Sequence, residues 1–311
     1  MTPGIFQISM AEYMESPAVS ASVLKRAIAE CPRAAWSASW LNPERAADAG
    51  TKASDAGSIA HSILLEGSTD IVAVIDPMDH PAEKTGAIPI GWTNKSIKAA
   101  RDAAKLAGKI PVLLDDMKSI ENMVDSAWTY IESVKDDEPA IWEVFQQGKG
   151  ESELTMVWQD GPTLCRMRPD RISLDRKLIV DVKTTQRSAE PGSWGRAQLT
   201  GMGYYTSAAF YRRGVEAICK VSPEYVFLVI EQEPPYLCSL VGMDPKMFEV
   251  GGQKIETALA VWADCVKRNR WPAYPTRVCY PELPAWEEVR WLDEQAARPS
   301  LDRMEELGGQ A

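Results

Sequence analysis

The spacing of apolar and polar positions changes character near residue 150. Before that point apolar residues recur three and four apart, the period of a helix with one buried face. "SPAVSASVLKRAIAECPRAAW" predicts a helix over 17–40, capped by Ser20 or Ser22, with Leu24, Ile28 and Ala35 on one side. A shorter helix is predicted over 56–66, "AGSIAHSILLE", ended by Gly67. Residues 70–76 read as a strand, and 94–135 as two helices interrupted at "GKIP". After residue 150 the period becomes that of strands. "ELTMVW" and "TLCRMR" flank the turn "QDGP" as a hairpin, and "KLIVDVKTT" follows the turn "SLDR". "EYVFLVIEQ" and "YLCSLVGM" add two more strands. Between them, 193–218 predicts a helix that is irregular at Gly201 and Gly203, and 245–268 a closing helix. A Trp- and Pro-rich segment and an acidic tail end the chain.

Hairpin, strand, helix, strand, strand is the order of an α/β (α+β) core with a mixed central sheet flanked by helices, here with an N-terminal helical elaboration. Without repeats or a low-complexity linker, the expectation is a single domain over 1–311. Within it, 1–150 is mainly helical, 151–243 forms the core, and 244–311 adds helices and the tail.

A chain of 311 residues that is 45% hydrophobic can bury a large core. No run approaches the roughly 20 apolar residues of a membrane span, and the first residues lack the basic start and apolar stretch of a leader. A cytoplasmic protein without a membrane partner is expected. The six cysteines show no short paired spacing, so neither a zinc knuckle nor a disulfide framework is indicated. The net charge of −10 argues against a phosphate-backbone partner until its distribution is examined. Residues 161–220 carry eleven Lys or Arg against five Asp or Glu, a local +6 that leaves −16 for the rest. Such segregation can lay a basic strip inside an acidic exterior.

That basic stretch contains "RPDRISLDRKLIVDVKTT". Side chains two apart on a strand share a face, so Asp181 and Lys183 project together while Val180 and Val182 face the opposite layer. Asp170, after Pro169, can return to the same sheet end. Two carboxylates and the backbone carbonyl of Val182 would form an all-oxygen site suited to Mg²⁺ or Mn²⁺, with Lys183 beside it to position or deprotonate water. The same residues could instead form a structural ion pair between Asp181 and Lys183, with Asp170 capping a turn.

"PD" with "DVK" after ten intervening residues resembles the signature of the PD-(D/E)XK nuclease superfamily. "GSIAHSILLEG", "CRMRPDRI", "VDVKTT", "AAFYRRG" and "FLVIEQEPPY", in that order, resemble the exonuclease VIII group of phages and prophages over about residues 17–285. The resemblance implies a restriction-endonuclease-like core. It makes His61 a metal ligand or close neighbour, Asp170 and Asp181 the bridging acids, and Lys183 the catalytic base or water-positioner. Glu153 falls at a position that is often acidic in that group. It further implies exonuclease action from 5′ to 3′ on ends of double-stranded DNA, a single-strand annealing partner, and a homo-oligomeric ring. Arg166, Arg168, Arg171, Arg187 and Arg196 would supply the basic strip that meets DNA. The group's glutamine ahead of "AAFY" is replaced by Ser207, which shares a helical face with Tyr211. Gln198 could substitute only if the helix breaks at Gly201 or Gly203. Relatives with an iron–sulphur cluster need clustered downstream cysteines, which Cys31, Cys265 and Cys279 do not provide. The reading of another class is a DNA-binding or recombination-partner module with this fold but little catalysis.

Overall fold

A computed structural model describes residues 2–45 and 52–297. The acidic tail, 298–311, lies outside the described residues. The chain divides into a compact unit over Met1–Pro272 and a second over Ala273–Ala311, which carries the helix Ala285–Ala297.

Among the described residues ten strands occur in chain order: β1 Gly4–Phe6, β2 Val72–Ile75, β3 Ile110–Leu113, β4 Gly150–Ser152, β5 Thr155–Asp160, β6 Thr163–Met167, β7 Arg171–Ser173, β8 Leu178–Thr185, β9 Glu224–Glu231 and β10 Cys238–Gly242. The central sheet has the order β10-β9-β8-β7-β4; β8 and β9 run parallel and the other pairs antiparallel. The mixed sheet is thus as expected, but its membership is not. The hairpin β5–β6 lies with β1 in a separate three-stranded sheet, and the short strands β7 and then β4 complete the central sheet beyond β8. Three-residue strands are too short to show alternation, so the sequence pattern could not reveal them.

Period-two alternation divides the core between the two faces of the central sheet. Ile179, Tyr225, Phe227 and Val229 pack into one apolar cluster with the helices Tyr204–Cys219 and Pro245–Arg268. Leu178, Val180, Val182, Val226, Leu228 and Ile230 pack into the other, with the helices Lys52–Glu66, Leu114–Ser133 and Pro139–Phe145. Both faces of β8 and β9 are therefore buried, the usual condition of parallel strands joined by a helical crossover.

Other expectations are refined by local chemistry. The predicted 17–40 helix is two helices, Ala21–Ala29 and Pro32–Ser37. Pro32 has no N–H and holds Cys31 extended at φ −168°, ψ 162°, which ends the first helix. "GKIP" is more than an interruption: Ile110–Leu113 pairs in parallel with β2. The predicted 193–218 helix contains a π-helical turn over Gly195–Thr200 and a break at Gly203, whose φ of +64° is left-handed.

Candidate active site

Two acids occupy the crossings between the sheets. The chain passes from β4 in the central sheet to β5 in the hairpin sheet at Glu153, and returns from β6 to β7 at Asp170. The Glu153 amide donates to the Asp170 carbonyl at 3.2 Å, which ties the crossings together. Glu153 stands at φ +54°, a left-handed conformation that costs a non-glycine residue roughly 1 kcal/mol or more. Sequence reading placed Glu153 at the start of a strand; the structure starts that strand at Thr155 and turns Glu153 inward.

Asp170 sits where a ladder ends. β7 pairs with β8 only through Arg171 with Val180 and Ile172 with Ile179. Two residues further along β8, the Val182 N–H donates to Asp170 Oδ2 at 2.8 Å, so a side chain replaces the missing strand. The Val182 carbonyl accepts from Lys183 Nζ at 3.3 Å.

His61 arrives from the opposite layer. Its Nε2 lies 2.8 Å from Asp170 Oδ2 and its Nδ1 3.4 Å from Glu153 Oε1. Gly57 permits this approach, because a Cβ there would stand 2.8 Å from Thr184 Oγ1 on β8. Gly57→Ala is expected to push the His61 helix outward and to lower stability by about 1–3 kcal/mol, the usual cost of overpacking, as read by denaturant unfolding. Unchanged stability would remove the close-approach argument.

Lys183 Nζ lies 2.6 Å from Asp181 Oδ2 and 3.9 Å from Asp170 Oδ2. Its ammonium is 5.6 Å from the Tyr204 ring centroid. His61, Glu153, Asp170, Val182 and Lys183 all line one cavity of about 1100 Å³, joined by Gln198, Tyr204 and Tyr211. Asp181 is 6% exposed and stays behind that wall, in contact with Asp170 and Lys183.

The charges are strongly interdependent. Burial opposes ionisation of His61, but Asp170 and Glu153 outweigh it and raise its pKa to about 10. Burial likewise opposes the charge on Asp170, yet His61 and Lys183 hold it well below the ordinary carboxylate range. Asp181 is pushed up to about 7, by burial first and by Asp170 second, with Lys183 opposing. Burial also works against the Lys183 ammonium, but Asp181 and Asp170 raise its pKa above the usual lysine value.

Donor atoms of His61, Glu153 and Asp170 lie within 4.8 Å of one another, and they alone form such a cluster among the described residues. One imidazole and two carboxylates, with Asp181 behind them, fit a hard divalent cation; the imidazole favours Mn²⁺ over Mg²⁺. A cation would displace the protons that Asp181 and His61 carry. Mn²⁺ affinity should therefore tighten at least about tenfold between about pH 6 and pH 8, with proton release seen by calorimetry in two buffers. Affinity indifferent to pH would contradict the proton inventory. Without metal the linkage runs the other way: Asp181 binds its proton more tightly folded than unfolded, so its contribution to stability is full at low pH and lost as pH rises from about 4 through 7.

The predicted DNA-contacting arginines separate into two groups. Arg166 is 4% exposed, lies against the Tyr13 ring, and donates to the carbonyls of Tyr13 and Ser16. Arg171 donates to the carbonyls of Val144 and Gln146 and to Ser152 Oγ. Both turn donors to backbone oxygens of the surrounding chain, a structural use, although the buried Arg166 Nε has no partner. Arg168 does line the cavity, but its guanidinium is held by Glu153 and the Ile8 carbonyl. Arg187 is exposed on the cavity wall; Arg196 is exposed but does not line it.

Ser207 does not line the cavity, whereas Gln198 does. The π-turn and the left-handed Gly203 supply the interruption needed to bring Gln198 round. Gly201 is required within it, because a Cβ there would stand 2.3 Å from the Ala197 carbonyl oxygen. Tyr211 lines the cavity, its hydroxyl donating to the Arg168 carbonyl at 3.4 Å.

Among the described residues no helix is long and apolar enough to cross a membrane. No curated protein matches the sequence. The fold is similar to that of a solved structure from Eubacterium rectale described as "Putative exonuclease", at TM-score 0.50 and 12% identity, covering 91% of this chain and 98% of that one. The solved structure of SSO0001 overlaps 44% of this chain and 58% of its own at TM-score 0.24 and 12% identity, too little to bear on the fold. The family model described as "PDDEXK-like domain of unknown function (DUF3799)" matches residues 20–281. The acids at the sheet crossings and the lysine on β8 thus sit within a matched region that spans most of the sequence, and the chain belongs to this PDDEXK-like family, with the PD-(D/E)XK nuclease fold.

Proposed function

We propose that this protein is a metal-dependent exodeoxyribonuclease that hydrolyses phosphodiester bonds at the ends of linear double-stranded DNA. The observation that carries the reading is the meeting of His61, Glu153 and Asp170 donors within 4.8 Å, on a cavity wall that also presents Lys183. A bound Mg²⁺ or Mn²⁺ would polarise the phosphate and lower the pKa of water. His61, Glu153 and Asp170 would hold it, with Asp181 and the Val182 carbonyl close by.

Within this reading Lys183 acts as a cation rather than a base. Two carboxylates hold its proton on Nζ, so it is suited to neutralise charge developing on the phosphate and to orient the attacking water. Gln198 faces the same space and offers amide donors to the scissile group, while the Tyr211 hydroxyl, also on the wall, donates to the Arg168 carbonyl. Arg187 offers a phosphate contact on the rim. The Tyr13 and Trp194 side chains also reach the wall, although Trp194 is otherwise buried against Phe227 and Tyr204.

The finer reading is cleavage from 5′ to 3′, leaving a 3′ overhang for a single-strand annealing protein, by a homo-oligomeric ring. It rests on the sequence resemblance together with the charge segregation. The test is hydrolysis of duplex DNA with Mg²⁺ or Mn²⁺, labelled separately at each 5′ and 3′ end, beside a closed circular control. Release of the 5′ label from linear duplex, with the circle spared, is expected. Cutting of the circle would refute exonuclease action, and early release of the 3′ label would refute the polarity. Metal uptake without hydrolysis of any DNA would favour a binding module.

A further inference from the structure

Lys25 belongs to the helix Ala21–Ala29, distant in sequence from every motif above. Its Nζ donates to the carbonyls of Met202 at 3.3 Å and Gly203 at 3.4 Å, and its Cδ lies where a Cβ added at Gly203 would meet it at 3.7 Å. The same ammonium lies 5.7 Å from the Tyr204 ring centroid, while Lys183 Nζ lies 5.6 Å from that ring. Lys25 also feels the charges of Lys183 and Asp181. One cation from the N-terminal layer therefore grips the point where the π-turn ends and the Tyr204–Cys219 helix begins.

That junction is an unusual one to leave unsupported. A left-handed residue between two helical segments gives up regular i→i−4 bonds, and carbonyls at such an end need other donors. Gln198 is four residues before Met202, and the Met202 amide donates to the Gln198 carbonyl at 3.0 Å. The setting of the junction therefore fixes the backbone that carries Gln198.

We propose that Lys25 is a positioning residue of the candidate active site: by holding the Met202 and Gly203 carbonyls it locks the helix interruption in the setting that turns Gln198 and Tyr204 into the cavity. The proposal rests on the nuclease reading for its kinetic consequence but not for its structural one.

The test uses the full chain and two readouts. Hydrogen exchange by mass spectrometry on K25M should be at least about tenfold faster over residues 196–206 than in wild type, with Ala21–Ala29 and β8 unchanged. K25R, which keeps charge and donors, should restore slow exchange. Wild-type exchange in K25M would overturn the proposal, as would a rise spread evenly over the chain in both K25M and the milder K25Q. In kinetics on linear duplex, K25M should lower kcat about tenfold with KM little changed. Added to Q198A, it should cost little more, because both act through the same side chain. Fully multiplicative losses would overturn the route through Gln198. A wild-type protein that hydrolyses no DNA would sink the nuclease reading alone, since the exchange experiment still decides the role of Lys25.

Discussion

Asp170→Asn is expected to abolish measurable Mn²⁺ uptake and to lower hydrolysis of linear duplex by roughly a thousandfold or more. A bound divalent cation contributes several kcal/mol of transition-state stabilisation, and each ~1.4 kcal/mol is a factor of ten. The effect should be this large because Asp170 is the shared partner of the site. One oxygen, Oδ2, meets His61 Nε2 at 2.8 Å, the Val182 N–H at 2.8 Å and Lys183 Nζ at 3.9 Å. Asparagine keeps the size and can still accept from Val182, so the end of the β7–β8 ladder should survive and near-native circular dichroism is expected. What it loses is the negative charge that keeps His61 and Lys183 in place and attracts the ion. Calorimetric titration with Mn²⁺ and end-labelled duplex hydrolysis are the measurements. Activity within threefold of wild type would remove Asp170, and with it the proposed metal centre, from the reaction.

How much of this was legible in the sequence differs from element to element. β8 and β9 were legible because eight-residue apolar strands carry their own signal, and Val180 and Val182, which flank Asp181, both enter one core cluster while Ile179 enters the other, as the period of two requires. The His61 helix was legible from its spacing, but the closeness of Gly57 to Thr184, which leaves no room for a Cβ, was not. β4 and β7 were hidden by their length. The partition of the hairpin into a second sheet was hidden because it depends on where the ribbon bends, and nothing in the residues at 153 and 170 announces a bend. Glu153 shows the limit most clearly. Its acidity is visible in the sequence, but its left-handed φ and its approach to His61 follow from the crossing between sheets, which is a tertiary event.

The basic strip divides for a related reason. Counting charges along the chain gives Arg166, Arg171 and Arg187 equal weight, yet two of them turn donors to backbone carbonyls and, of the three, Arg187 is the one exposed on the cavity wall. A guanidinium with five donors is well suited to satisfying oxygens at loop junctions, so an excess of arginine around an irregular core is partly scaffold. Gln198 was the opposite case. An unbroken helix would turn it away, and two glycines hinted at a break, but only the π-turn with its left-handed exit settles which way the side chain goes.

Lys183→Met should separate catalysis from metal binding, in contrast to Asp170→Asn. Methionine fills a similar volume but leaves Asp181 and Asp170 without the cation that now lies 2.6 Å and 3.9 Å away. In the metal-free protein that loss should raise the Asp181 pKa further and lower stability most at neutral and higher pH, where Asp181 would otherwise ionise. A divalent ion compensates the same negative charge, so Mn²⁺ should bind as tightly as to wild type or more tightly. Hydrolysis should nonetheless fall by about 10²–10⁴, the range for removing a group that positions water or meets developing charge. The loss should appear in kcat rather than KM, because the ammonium acts on charge that develops only in the transition state. If Lys183→Met lost metal and activity together, Lys183 would be a support for the acids and the cation role argued above would fail.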